Sequence, residues 1–249
     1  MRMRIIDCHA HFGHFSQTPI LYPDAPSMVD AMDKAGVEKL CISSFLSIGP
    51  DCRTGNNMVA QAVRQFPQRF VGYAVVNPNR PEEIESELTR CFDTLGMRAI
   101  KIHPAFHRYS VEGSAYRIAF DFAGRKGVPI LSHEWGRPEF LEELSAQYKN
   151  VNFIIAHTAF WDGRSPFHFA GVLQRKPNVF VDLVYSNIYY QGLERMAAQV
   201  GAHKILWGSD FPLHDLPYQF GRMLFSRLDD ESKSKILGTN MLRILGEES

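Results

Sequence analysis

Two histidines one residue apart close the first apolar run of the chain, Met3-Arg4-Ile5-Ile6-Asp7-Cys8-His9-Ala10-His11. Alternate side chains of a strand share a face, so Asp7, His9 and His11 are expected to point the same way, about 6–7 Å between neighbours. Two imidazoles at that spacing can converge on one cation. A His-X-His pair also arises by chance among ten histidines, so the pair alone decides nothing. The same pattern recurs further along. Ala-Ile-Lys-Ile-His ends at His103 with Lys101 two residues before it, Pro-Ile-Leu-Ser-His at His133, and Phe-Ile-Ile-Ala-His at His157. Ile-Leu-Trp-Gly-Ser-Asp ends at Asp210. One apolar run closed by an ionisable or coordinating residue is ordinary; five together are improbable for a protein selected only for packing.

The elements that must position these groups are short runs rich in Val and Ile, separated by stretches of helical period. Strands are predicted at 4–8, 39–43, 70–76, 99–103, 129–133, 151–157, 179–184 and 204–207, with helices including 81–95, 138–148 and 193–200. Pro81 and Pro138 suit a first helical turn, where a missing N–H costs nothing. Glu82 and Glu83 suit the positive end of the helix dipole. Eight βα units without a composition break read as one (β/α)8 barrel over residues 1–249, a fold of about 250 residues whose chemistry gathers at the C-terminal strand ends. An open doubly wound sheet is the alternative, but no G-x-G-x-x-G turn follows the first strand. The last helix, 233–245, is expected to pack across the barrel exterior.

Composition narrows the function. Hydrophobic residues make up 45% of the 249 and charged residues 22%, and 27 basic side chains balance 27 acidic ones. No basic footprint for nucleic acid or a membrane surface is present, and no apolar run is long enough to span a bilayer. Cys8, Cys41, Cys52 and Cys91 lack C-x-x-C spacing and read as reduced, buried thiols. With a strand beginning at once, a signal peptide has no room, so the expected location is the cytoplasm. The partner is a small molecule, and a homodimer is left open.

Asp7-Cys8-His9-Ala10-His11, His133, His157 and Gly208-Ser209-Asp210-Phe211-Pro212, taken in order, resemble the amidohydrolase superfamily. The nearest branch is its amidohydrolase-2 group, which includes aminocarboxymuconate-semialdehyde decarboxylase and related aromatic acid decarboxylases. Gly55-Asn56-Asn57 and the run from Phe70 to Pro78 are similar to that branch too. The resemblance spans the whole chain. It implies a TIM barrel holding one divalent metal, usually zinc, on His9, His11, His133 and Asp210, with His157 as the catalytic or substrate-polarising residue. In binuclear members a carboxylated lysine on the fourth strand bridges two ions. Lys101 resembles it, and His103 and His157 would then border a second ion or line the pocket; the nearest branch favours a single ion.

The residue types agree with that chemistry. Imidazole and carboxylate suit zinc at about 2.0–2.2 Å, with manganese, iron or cobalt as alternatives. A bound cation lowers the pKa of a water from 15.7 toward about 7. Asp210 would then relay its proton, and His157 would polarise a carbonyl or transfer a proton to substrate. Trp135, Arg137, Trp161, Arg164 and Arg53, with Phe15 and Phe106, are candidates to bind substrate by stacking or by a bidentate grip on a carboxylate. Hydrolysis of an amide, ester or lactone needs nothing beyond these groups and is the first expectation. Non-oxidative decarboxylation of an aromatic or muconate-like acid is the alternative; it requires a carboxylate clamp that the sequence does not locate. Asp7, deeper in the strand, is expected to support the ligands. His107, His168, His203 and His214 are expected in solvent, and His14, close behind the metal pair, at the edge of the pocket.

Overall fold

The computed structural model describes residues 3–158, 165, 167–184 and 190–247. Eight short strands run parallel in sequence order: β1 (Ile6–Phe12), β2 (Lys39–Ser44), β3 (Phe70–Val75), β4 (Ala99–Ile102), β5 (Ile130–Ser132), β6 (Phe153–Ile155), β7 (Val179–Asp182) and β8 (Ile205–Leu206). Each pairs with the next, as in Ile6 with Lys39, Ile100 with Ile130 and Val181 with Ile205. Backbone hydrogen bonds bring the first and last strands together: Cys8 N to Trp207 O at 3.0 Å, Asp210 N to His9 O at 2.8 Å and His11 N to Phe211 O at 2.7 Å. Helices lie between the strands, so the molecule is the expected (β/α)8 barrel.

Local chemistry sets the helix ends. Asp24 and Asp51 accept from Ser27 N and Thr54 N, each satisfying a donor that an α-helix leaves unpaired. Pro81 and Pro138 open their helices, which run Pro81–Asp93 and Pro138–Gln147. Gly55, in the helix Cys52–Gln65, is needed for space: a Cβ there would lie 2.4 Å from Ser47 N. Its neighbour Asn56 is buried and pairs both ways with Val75, accepting from its N–H at 3.0 Å and donating to its carbonyl at 2.9 Å. The Gly-Asn-Asn motif thus ties that helix to the mouth end of β3.

Two apolar layers follow from the alternation of the strands. Ile6, Cys8, Cys41, Val71, Tyr73, Ala99, Leu131, Ile154, Phe180 and Leu206 fill the barrel interior. Ala10, Leu40, Ile42, Ile100, Ile102, Ile130, Phe153, Val179 and Ile205 face the helices. β1 departs from strict alternation. Its register against β2 shifts between Asp7 and Ala10, so Ile6 and Cys8 lie inside while Ala10 and Phe12 pack outward. The bulge changes the phase of the strand, and the expected single row of Asp7, His9 and His11 is broken. Asp7 instead accepts from His9 N and Ser209 N at 2.9 and 3.1 Å and pairs with Ser209 Oγ, tying β1 to the turn after β8.

The C-terminal segment meets its expectation in part. It is a helix Asp230–Ser234, a π-helical turn Lys235–Thr239 and a helix Asn240–Ile244. Ile236 and Leu237 join the outer layer, as exterior packing requires, whereas Met241, Leu242, Ile244 and Leu245 join the interior cluster. Trp207 N donates to Ile236 O, and Gly238 sits so close to the start of β1 that a Cβ would lie 2.4 Å from Arg4 O. These residues close the floor of the barrel. Among the described residues no helix is long and apolar enough to cross a membrane.

Candidate metal centre at the barrel mouth

The polar residues that end the strands meet in one buried cluster. His9 and His11 come from β1, Lys101 from β4, and Asp182 from β7. His103, His133, His157 and Asp210 follow the ends of β4, β5, β6 and β8. His9, His11, Lys101, His103, His157, Asp182 and Asp210 are buried, and His133 is partly exposed. His9 lies at the centre. Its Nδ1 is 2.8 Å from Asp182 Oδ2, and its Nε2 is 2.8 Å from Lys101 Nζ and 3.7 Å from Asp210 Oδ1. His11 Nε2 is 3.0 Å from Asp210 Oδ1, and its Nδ1 lies 3.2 Å from Ser43 Oγ.

Burial dominates the electrostatics. It pushes His11 down to about 4 and His103, His133 and His157 well below the ordinary imidazole range, favouring the neutral rings that can ligate a cation. Burial also pushes the Lys101 ammonium down to about 8, opposed by the charges of Asp182 and Asp210. For Asp210 burial favours the neutral acid, yet the facing His11, His157 and His9 rings hold it well below the usual carboxylate range. Backbone strain concentrates here too: His157, Thr158 and Asp210 have φ of 55°, 54° and 61°. Such residues cost about 1–3 kcal/mol each and persist where surrounding contacts enforce them. Here Asp182 Oδ1 accepts from His157 N at 2.7 Å, and Asp210 N donates to His9 O.

The rings form a closed circuit. Centroid separations run His9–His11 5.3 Å, His11–Phe45 4.7 Å, Phe45–Phe15 4.8 Å and Phe15–Phe106 6.1 Å. They continue Phe106–His103 4.2 Å, His103–His133 4.1 Å, His133–His157 4.7 Å and His157–His9 4.9 Å. One side of the mouth is therefore a donor cluster and the other a wall of flat apolar rings.

Donor atoms of His9, His157 and Asp210 lie within 4.8 Å of one another, and His11 joins through Asp210. Two or three imidazoles and one carboxylate in a buried cluster fit a divalent cation by number, type and spacing. The sequence reading places His133 among the ligands and His157 beside them; in the structure His157 shares the compact group, and His133 stands next to it.

The proposed substrate residues scatter. Trp135 is buried in the outer core, donating to Ile154 O at 2.9 Å and packing on Phe153 and Phe120. Arg137 is exposed and paired with Glu112 at 3.1 Å. Arg53 pairs with Glu87 in a groove between the helices Cys52–Gln65 and Pro81–Asp93. Trp161 and Arg164 lie outside the described residues. Phe15 and Phe106 do reach the mouth.

Three residues escape the sequence reading. Asp182 closes Val-Phe-Val-Asp on β7, the same signal that marks the other strand ends, but Leu183 and Val184 extend the apolar run and hide it. His214, expected in solvent, has Nδ1 4.0 Å from Asp210 Oδ2, because the turn after Asp210 folds back on itself. His107 is also buried, with Nδ1 3.4 Å from Tyr116 Oη.

The fold is shared with enzymes of known structure. 2,6-Dihydroxybenzoate decarboxylase from Rhizobium superposes with a TM-score of 0.79 at 16% identity, covering 98% of this chain and 99% of that one. Dihydroxybenzoic acid decarboxylase from Polaromonas sp. JS666, solved with bound manganese and the inhibitor 2-nitroresorcinol, gives 0.78 at 16%, covering 98% and 97%. A putative amidohydrolase from Staphylococcus aureus gives 0.78 at 18%, covering 98% and 100%. The sequence model of the amidohydrolase family Amidohydro_2 matches residues 6–246, and the chain belongs to that family.

Proposed function

We propose that this enzyme is a divalent-metal-dependent decarboxylase of a small aromatic carboxylic acid. The observation that carries the reading is the pairing, in one mouth, of a His/Asp donor cluster with the Phe45–Phe15–Phe106 wall. A flat ring packed against that wall would lie beside the histidines, and offset or edge-on ring packing contributes about 0.5–1.5 kcal/mol per pair beyond its buried area. Decarboxylases among the structural neighbours support the choice over hydrolysis.

His9, His11, His133 and Asp210 would hold the ion, which supplies positive charge to orient the substrate's oxygens. A histidine-rich donor set suits zinc, whereas the Polaromonas protein carries manganese. Lys101 is the candidate clamp that the sequence reading lacks. Its ammonium is fully buried and faces the cluster, where a carboxylate is its natural partner. A carboxylate beside His157 would favour the protonated ring. His157 then gives that proton to the ring carbon bearing the carboxylate. The carbon–carbon bond breaks, its electron pair remains with the ring, and carbon dioxide leaves. A second assignment, favoured by the 4.8 Å grouping, makes His157 a ligand instead.

The test is incubation of the chain, loaded with zinc or manganese at one ion per chain, with dihydroxybenzoates and a panel of amides, esters and lactones. Carbon dioxide and the protonated arene are expected. Turnover confined to an amide, ester or lactone would sink the reading and restore hydrolysis. Two ions per chain, with a mass increase on Lys101 matching carboxylation, would overturn the single-ion assignment.

A further inference from the structure

We infer that Asp182 is a positioning residue that sets the tautomer of His9 and the backbone of His157, joining β1 to β6 beneath the donor cluster. Three observations converge. Asp182 is fully buried, and its Oδ2 lies 2.8 Å from His9 Nδ1. Its Oδ1 accepts from His157 N at 2.7 Å and from Val184 N at 3.2 Å. On the opposite side of the same imidazole, Lys101 Nζ lies 2.8 Å from Nε2. An ammonium only donates and a carboxylate oxygen accepts, so the two partners agree on one arrangement: the proton on Nδ1 and the lone pair on Nε2. Nε2 also lies 3.7 Å from Asp210 Oδ1. His9 is therefore held in the form that can ligate through Nε2. The other oxygen of the same carboxylate accepts from the backbone N–H of His157, whose φ of 55° is uncommon for a residue other than glycine. One side chain thus registers two histidines from strands on different sides of the barrel.

The link from this arrangement to ion binding rests on the proposed function; the tautomer itself does not. Selectively 15N-labelled histidine in the metal-free protein reads the tautomer directly, the His9 signals being assigned by their loss in His9→Asn. The wild-type chain is expected to show the Nδ1–H form. Asp182→Asn turns an amide donor toward Nδ1 while keeping an acceptor for His157 N, and is expected to shift His9 to the Nε2–H form. Manganese titration of the same variant should show about 10- to 100-fold weaker binding, with Asp182→Glu recovering part of it. An Nε2–H wild-type His9 overturns the inference even if the variant fails to fold. So does a folded Asp182→Asn with unchanged tautomer or with manganese affinity within threefold of wild type. If the wild-type chain binds no ion, the metal reading falls and the 15N result still decides this one.

Discussion

The two ends of the barrel are built from the same eight strands and solve opposite problems. At the floor, Ile6, Phe180 and Leu206 meet Met241, Leu242, Ile244 and Leu245 in one apolar cluster. At the mouth, seven histidine, lysine and aspartate side chains are buried together, and three backbones there take left-handed conformations. Burying polar groups costs free energy unless each is paired, so the mouth draws on stability that the floor supplies. Substitutions at the two ends should therefore separate activity from stability.

The sharpest break in that comparison is His157→Asn. Loss of a proton-transferring group is expected to lower kcat by about 10²–10⁴-fold, with thermal stability equal or higher and ion content unchanged by elemental analysis. Loss of the ion in His157→Asn, with retention in His133→Ala, would instead establish His157 as the ligand. Next in size is the floor. Leu242→Ala should destabilise by about 2–5 kcal/mol in urea titration while the surviving folded protein keeps its ion affinity. A comparable loss from Asp210→Asn would show that the mouth, too, holds the fold together.

Smaller effects refine the contrast. Phe106, 42% exposed and stacked on His103, borders the mouth away from His9, His157 and Asp210. Phe106→Ala should raise KM roughly 2- to 12-fold, one ring contact, at nearly constant kcat; an unchanged KM would remove the aromatic wall from substrate binding. The smallest effect lies at the floor's rim, where Glu247 pairs with Lys39 and Arg98. Burial opposes its ionisation, but the two cations win and hold its carboxyl below the usual carboxylate range. A depressed acid contributes stability above its unfolded pKa and loses it as pH falls through the folded one. The stability difference between wild type and Glu247→Gln, about 0–1 kcal/mol at neutral pH, should therefore vanish in acid. A difference that grew on acidification would reverse the sign of this pair.

How much of this was legible in the sequence follows from what periodicity encodes. All eight strands were readable because each is a short apolar run, and the mouth was readable because polar residues end them on the same side. The bulge in β1 was not, since alternation assumes an unbroken register, and the shift arises from pairing with β2. Asp182 was hidden by the apolar residues after it. Trp135 follows His133 by two positions, yet the chain turns away after β5 and sends the indole into the outer core. The last helix carries an apolar face that fits an exterior groove as well as a barrel floor. Only three-dimensional closure decides between them.

That closure has a consequence for how the molecule is made. Because Met241 to Leu245 stopper the lower barrel, its central hydrophobic column cannot be fully covered until the chain has been made through these residues. Strands paired early in synthesis must wait for a latch encoded more than two hundred residues later, and a chain cut before Met241 should expose Ile6, Phe180 and Leu206 to self-association.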